Sequence, residues 1–255
     1  MAQLDHLSYS SISLWQTCAR AWRYRYVEQI PTTKSPSLAF GSAMHDTIEA
    51  LILSHHNGTD TEPTATWLEK WQSHSADVSW DSELPEQWAN DGIRILTSPD
   101  FKALLDKLSP HTEQGQPVIE KRIELSVPGV PIPVIGFIDL ITADGIPCDI
   151  KTASRSWTQD QADRELQPLF YLAALNQAGY KLNAELKFRH IVVVKAKTPQ
   201  VQVIESRRKP ADLLLLCQLI AEVWQAISRG IFPPNPSSWK CSERYCEYYS
   251  YCRGG

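Results

Sequence analysis

No stretch of this 255-residue sequence is long and apolar enough to read as a membrane span. The most apolar run, "ADLLLLCQLIAEVW", is too short for one and reads as a core helix. The opening "MAQLDHLSYS" lacks the basic and apolar regions of a secretory leader. A cytoplasmic protein is therefore the expectation, in a compartment where structural disulfides are rare. An excess of positive charge is also missing. The formal net charge is −4, which excludes bulk attraction to nucleic acid and leaves any such binding to local patches. No G-x-x-x-x-G-K-[ST] sequence occurs, so no nucleotide-driven motor of that type is present. Nor is there a C-x₂-C pair, the unit that zinc usually takes. Internal repeats and low-complexity linkers are absent too.

What is there has a definite order. The length suits one large domain or two small ones. Residues 10–28 and 38–56 read as helices, the first opening on serines that can cap it and the second ending at Asn57-Gly58. Residues 64–108 continue the helical period, broken near Ser79–Pro85 and Ser98-Pro99. Then the pattern changes. "VIEKRIELSV", "IPVIGFIDLIT" and "IPCDIKT" are β-rich runs divided by turn residues. A helix at 160–178, strands at 186–196 and 200–206, a helix from Ala211 to Arg229 and a cysteine-rich tail complete the chain. This order predicts a single α/β domain over 1–255: a mainly helical section at 1–110, a core at 115–230 and a tail at 231–255.

Basic residues cluster at Arg20–Arg23–Arg25, Lys195–Lys197 and Arg207–Arg208–Lys209. Each cluster alone reads as a solvated edge before it reads as a binding site. The nine tryptophans and nine tyrosines are many, and "ARAWRYRY" interleaves them with arginine. That interleaving suits single-stranded nucleic acid, with Arg23 and Arg25 as contacts, and suits a plain amphipathic helix equally.

The chemistry concentrates in "GFIDLITADGIPCDIKT". A hairpin turning at Ala143-Asp144-Gly145 would pair Thr142 with Ile146 and set Asp139 directly opposite Asp149. Directly opposed residues share a face, with Cβ atoms about 5 Å apart. Two carboxylates that close repel unless a cation or a proton separates them. A divalent metal resolves the conflict, and oxygen ligands suit Mg²⁺ or Mn²⁺. Lys151 falls on the same face as Asp149, where it could stabilise developing negative charge. An Asp–Asp–Lys network at a sheet edge is the structural alternative. Upstream, "FGSAMHDTIEALI" puts His45 on a helix with Glu49 one turn later. Downstream, "LQPLFYLAAL" puts Gln167 and Tyr171 on one helical face. Glu120 could be an accessory carboxylate, and a solvated strand face explains it as well.

This ordered set resembles the PD-(D/E)XK nuclease superfamily, specifically its RecB-like branch with the AddB and CRISPR-associated exonucleases. The family runs histidine on a helix, then G-x-x-D, D/E-x-K and Q-x-x-x-Y. Here these are His45, "GFID" ending at Asp139, "DIK" with Asp149 and Lys151, and "QPLFY" with Gln167 and Tyr171. The resemblance implies a restriction-endonuclease-like mixed sheet flanked by helices, and metal-dependent hydrolysis of DNA phosphodiesters. His45, Asp139, Asp149 and the Ile150 backbone carbonyl would bind Mg²⁺ or Mn²⁺. Lys151 would assist the attacking water, while Gln167 and Tyr171 hold DNA or orient the site. Repair, recombination, phage or CRISPR-adaptation settings are implied, with DNA that is single-stranded or has free ends, and a helicase or adaptation-complex partner.

Three of the six cysteines, Cys241, Cys246 and Cys252, lie in the tail, and Cys18 lies near the other terminus. In a reducing compartment that grouping suggests metal ligation. A Cys₄ iron–sulfur cluster is the expectation, a 4Fe–4S cubane by the family's example. The family tail is commonly C-x₂-C-x₅-C, and here the first gap is four residues. Cys148 and Cys217 read as core residues. The rival readings are a non-catalytic DNA-binding or scaffold subunit and a zinc protein of other function.

Overall fold

The computed structural model describes residues 4–59, 61–80, 84–182 and 184–254. A two-residue strand β1 (Leu7–Ser8) leads into helices α1 (Tyr9–Thr17) and α2 (Ala19–Tyr26). The long α3 (Pro36–Asn57) is followed by α4 (Pro63–Ser75), α5 (Pro85–Leu96) and α6 (Pro99–Lys107). A small hairpin, β2 (Thr112–Glu113) and β3 (Gln116–Pro117), precedes β4 (Ile119–Leu125), β5 (Val134–Ile141) and β6 (Pro147–Ala153). Then come α7 (Gln159–Arg164), α8 (Gln167–Gln177), β7 (Lys187–Val194), β8 (Gln200–Arg207), α9 (Pro210–Ser228) and α10 (Tyr249–Arg253).

Local chemistry sets these boundaries. Ser8 caps α1 and exchanges hydrogen bonds with Ser11 in a capping box. Ser35 caps α3 ahead of Pro36, and Gly58 closes it at φ 65°, a left-handed conformation that glycine adopts freely. The helices α4, α5 and α6 each open on a proline, where a missing N–H costs nothing. The prolines at 85 and 99 thus make the anticipated breaks; residues 81–83 of the first break lie outside the described set. Two anticipated helices are split. Cys18, extended at φ −163° and ψ 105°, separates α1 from α2. Extended Glu165 and the following Pro168 separate α7 from α8. The helix α9 is longer than its apolar core suggested. At 19 residues it is long and apolar enough to cross a membrane by length and composition, whereas its sequence had been read as too short. Its Leu216, Ile220, Val223 and Ile227 are instead buried in the protein.

The main sheet is mixed and flanked by helices, with strand order β1-β5-β6-β7-β8 and β4 on the other side of β5. The strand β1 runs parallel to β5, pairing Leu7 with Val134, whereas β6 pairs antiparallel only with the far end of β5, Leu140 with Cys148 and Ile141 with Pro147. The β5–β6 ladder therefore forks just before Asp139. One face of the sheet carries α1, α8 and α9 around Trp22, Phe170 and Phe188. The other carries α3 to α6 around Phe40, Trp67 and Phe101. Gly136 allows α8 to press on β5: a Cβ there would stand 2.4 Å from the Phe170 ring. Burying rings of this size contributes several kcal/mol each, roughly 25 cal/mol per Å² of apolar surface.

Candidate active site

The hairpin forms in the anticipated register. The Thr142 amide donates to the Ile146 carbonyl at 3.0 Å, and Gly145 takes the turn's left-handed position at φ 76°. Extending the Leu140–Cys148 pairing by one residue sets Asp139 against Asp149. The ladder stops there because the Asp139 side chain captures the next donor: its Oδ2 accepts the Ile150 N–H at 2.6 Å.

On the other side of β5, Ile119 pairs with Leu140 and Lys121 with Ile138, so Glu120 stands opposite Asp139. Glu120 adopts φ 46°, a strained conformation for a residue with a Cβ and one that clusters at functional sites. From α3, His45 reaches both carboxylates. Its Nε2 lies 2.9 Å from Asp139 Oδ2 and its Nδ1 lies 3.2 Å from Glu120 Oε1. His45, Glu120 and Asp139 each offer a ligand atom, all within 4.8 Å of one another. Glu49, one turn along α3, is outside this trio.

Asp149 and Lys151 are the second half. Lys151 Nζ donates to Asp149 Oδ1 at 3.0 Å and to Gln167 Oε1 at 2.7 Å. Gln167 Nε2 then donates to the Tyr171 hydroxyl at 2.9 Å, which donates to the Phe137 carbonyl at 2.8 Å. Half-buried Gln167 and buried Tyr171 thus form a strut that fixes the lysine.

Burial and charge shift His45, Glu120, Asp149 and Lys151. Desolvation pushes Asp149 up to about 7 against the opposing pull of Lys151. Desolvation likewise lifts Glu120 to about 6. Burial alone would lower the His45 imidazole, but Asp139 and Glu120 outweigh it and raise it to about 9. Burial also opposes the Lys151 ammonium, and Asp149 more than compensates. The fit to a divalent cation rests on two further oxygens: Glu120 Oε1 and Asp149 Oδ2 are buried without a conventional hydrogen bond, and face the His45 imidazole at 3.2 Å and the Lys151 ammonium at 2.8 Å. Oxygen-rich donors with one imidazole suit Mn²⁺ or Mg²⁺. A cavity of about 540 Å³ opens beside them, lined by Ser42, His45, His74, Ile150, Lys151 and Thr152 among others. A larger cleft of about 590 Å³, at the turn end of the hairpin around Asp144 and Arg189, is not lined by His45, Ile150 or Lys151.

Two residues were not singled out as site residues by the sequence. Glu120 had been weighed against a solvated strand face. His190 on β7 pairs in register with Asp149, is fully buried, and has no hydrogen bond at either ring nitrogen. Its Nδ1 lies 4.0 Å from Asp149 Oδ2, and desolvation lowers it to about 4. The basic clusters are largely occupied. Arg23 pairs with Glu28, Arg25 with Glu247, and Arg208 is buried against the carbonyls of Ala162 and Glu165. Trp22 is core.

The tail requires a correction. Cys18, Cys241, Cys246 and Cys252 are free thiols that line one cavity of about 220 Å³, so the chain ends do converge. Their sulfurs are not gathered as a ligand cluster: among the described residues, only His45, Glu120 and Asp139 meet within 4.8 Å. As placed, these thiols do not support an iron–sulfur cluster. The expectation had the sulfurs meeting; they line a cavity instead.

Among curated proteins, none matches this chain. The crystal structure of a provisionally named exonuclease from Eubacterium rectale superposes with a TM-score of 0.62 over 98% of this chain and 88% of that one, at 13% identity. That likeness shows the shared fold. A structure of SSO0001 superposes at 0.40, with 16% identity over 88% of this chain and 90% of that one, too distant to bear on the fold. The family model of the PD-(D/E)XK nuclease superfamily matches residues 6–253, nearly the whole sequence. With that match and the acidic corner beside a half-buried lysine, this chain belongs to the PD-(D/E)XK nuclease superfamily.

Proposed function

We propose that the chain is a Mg²⁺- or Mn²⁺-dependent deoxyribonuclease of the RecB-like branch, acting as one domain over residues 1–255 and as an exonuclease in the cytoplasm. The observation that carries the reading is the meeting of His45, Glu120 and Asp139 beside an Asp149–Lys151 pair. The exonuclease part leans on the name given to the Eubacterium rectale neighbour. In this reading His45, Asp139, Asp149, the Ile150 carbonyl and Glu120 hold the ion. When bound, the ion polarises the scissile phosphate and lowers the pKa of a water.

The protein's own groups do the rest. Lys151, fixed between Asp149 and Gln167, faces the charge that grows on the phosphate oxygens and stabilises it without reorganising. Tyr171 locks Gln167 in the orientation that offers its oxygen to the lysine. Burial on the sheet lowers the local dielectric and strengthens each of these interactions. A scaffold subunit would have no need to gather Glu120 and the buried Asp139 and Asp149, carboxylates that repel one another unless a cation or a proton separates them.

Lacking a motor motif, the enzyme would take DNA ends alone or from a helicase, recombination or CRISPR-adaptation partner.

The deciding experiment for the main reading incubates end-labelled single- and double-stranded DNA with Mg²⁺ or Mn²⁺. Cleavage that EDTA abolishes is expected. Intact DNA under every metal condition would overturn the reading.

A further inference from the structure

The tail carries large aromatic side chains that the protein leaves in solvent. Trp239 is 71% exposed, Tyr251 59% and Tyr245 51%. Trp239 and Tyr245 meet edge to face, ring centroids 5.6 Å apart, and both stay more than half exposed in that contact. Lys240 Nζ stands 5.5 Å from the Trp239 ring centre and the Arg244 guanidinium 5.3 Å from that of Tyr245. Unlike Arg23 and Arg25, neither Lys240 nor Arg244 forms an ion pair with a carboxylate among the described residues. The segment is also held in shape. The Cys241 amide donates to the Ser238 carbonyl at 2.8 Å, and the Cys246 amide to the Ser242 carbonyl at 2.9 Å.

We infer that Trp239, Lys240, Arg244 and Tyr245 form a stacking surface for single-stranded nucleic acid. Open aromatic faces interleaved with unpaired cations are what such a strand requires, because every base has a π-face and every nucleotide a negative charge. Thr17 and Cys18, at the end of α1, line the tail cavity with Lys240 and Tyr245, so the segment packs on the N-terminal helices. The ligand class rests on the nuclease reading; the surface itself does not.

The test measures binding of a fluorescein-labelled oligothymidylate in EDTA, where nothing is cut. In the Trp239→Ala/Tyr245→Ala double variant affinity falls about tenfold or more, while Trp239→Phe retains it. Lys240→Gln/Arg244→Gln flattens the salt dependence. Metal-dependent hydrolysis of bis(p-nitrophenyl) phosphate, too small to reach the tail, stays at the wild-type rate in all of them. Unchanged oligonucleotide affinity in the double variant overturns the inference and leaves the aromatics to a protein partner. Loss of small-substrate hydrolysis by the same factor as binding overturns it as well, as a folding defect. A wild type that binds the oligonucleotide but hydrolyses nothing would sink the nuclease reading and leave this surface standing.

Discussion

The acidic corner and the cysteine tail are opposite solutions to placing polar groups. At the corner, His45, Glu120, Asp139, Asp149 and Lys151 come from α3, β4, β5 and β6, and the two aspartates are buried. Their compensation is internal: Lys151 answers Asp149, and His45 answers Asp139 and Glu120. In the tail, short turns and a five-residue helix leave Trp239, Tyr245 and Tyr251 in solvent, and the four thiols only half-buried. Burial makes charge strong and costly, which suits bond breaking; exposure makes aromatic and cationic groups available, which suits binding. Changes at the corner should therefore alter rate, and changes in the tail affinity.

The largest break should come from Asp139→Asn. Asparagine can still accept the Ile150 N–H, so the fold survives while an anionic metal ligand is lost. Cleavage should fall by roughly 10³-fold or more on end-labelled DNA, with DNA affinity nearly unchanged. Lys151→Gln comes next. It should cut kcat by about 10²-fold and leave KM within a few fold, because its partner is charge that appears only in the transition state. Equal losses in both would make the lysine a ground-state phosphate contact.

The pH dependence sharpens the same contrast. His45, Glu120 and Asp149 all titrate above their ordinary values, at about 9, 6 and 7. The metal-free fold therefore favours their protonated forms. That contribution is present below the unfolded values, and for each group is lost as pH rises through its folded value. A divalent ion needs the deprotonated forms, so it must displace these protons. Mn²⁺ affinity by calorimetry should rise at least tenfold between pH 6 and 9, with proton release, and the metal's lift of Tm should grow in step. A flat profile would remove these groups from the ligand set. Smallest is Tyr171→Phe. It takes the hydroxyl from the Phe137 carbonyl and from Gln167 Nε2, costing about 1–3 kcal/mol in urea unfolding and slowing cleavage only a few fold.

How much the sequence disclosed depended on whether a short local turn set the geometry. The Ala143–Gly145 turn fixes register by itself, so the facing of Asp139 and Asp149 was readable, as was Lys151 two residues on. Glu120 stayed open between an accessory carboxylate and a solvated strand face, because eight residues, 126–133, join β4 to β5 and leave their register unspecified in sequence. His190 depends on the parallel β6–β7 pairing, made through two intervening helices, so its place behind Asp149 was invisible. The two-residue β1 is held by a tertiary partner, and its sequence carries no strand signal of its own. In the tail, spacing suggested that thiolates would meet; the fold brought them only to a common cavity, because turn geometry as well as ligand order sets sulfur positions.

The central claim is that the corner, and not the tail, breaks phosphodiester bonds with a bound ion. One measurement tests it most directly: single-turnover cleavage of a 5′-labelled oligonucleotide in Mn²⁺ by the wild type and by Asp149→Asn, both saturated with DNA. The account predicts EDTA-sensitive cleavage by the wild type and a rate at least about 10²-fold lower for the variant, with equal amounts of DNA bound. Wild-type rates in Asp149→Asn, or cleavage that persists in EDTA, would contradict it.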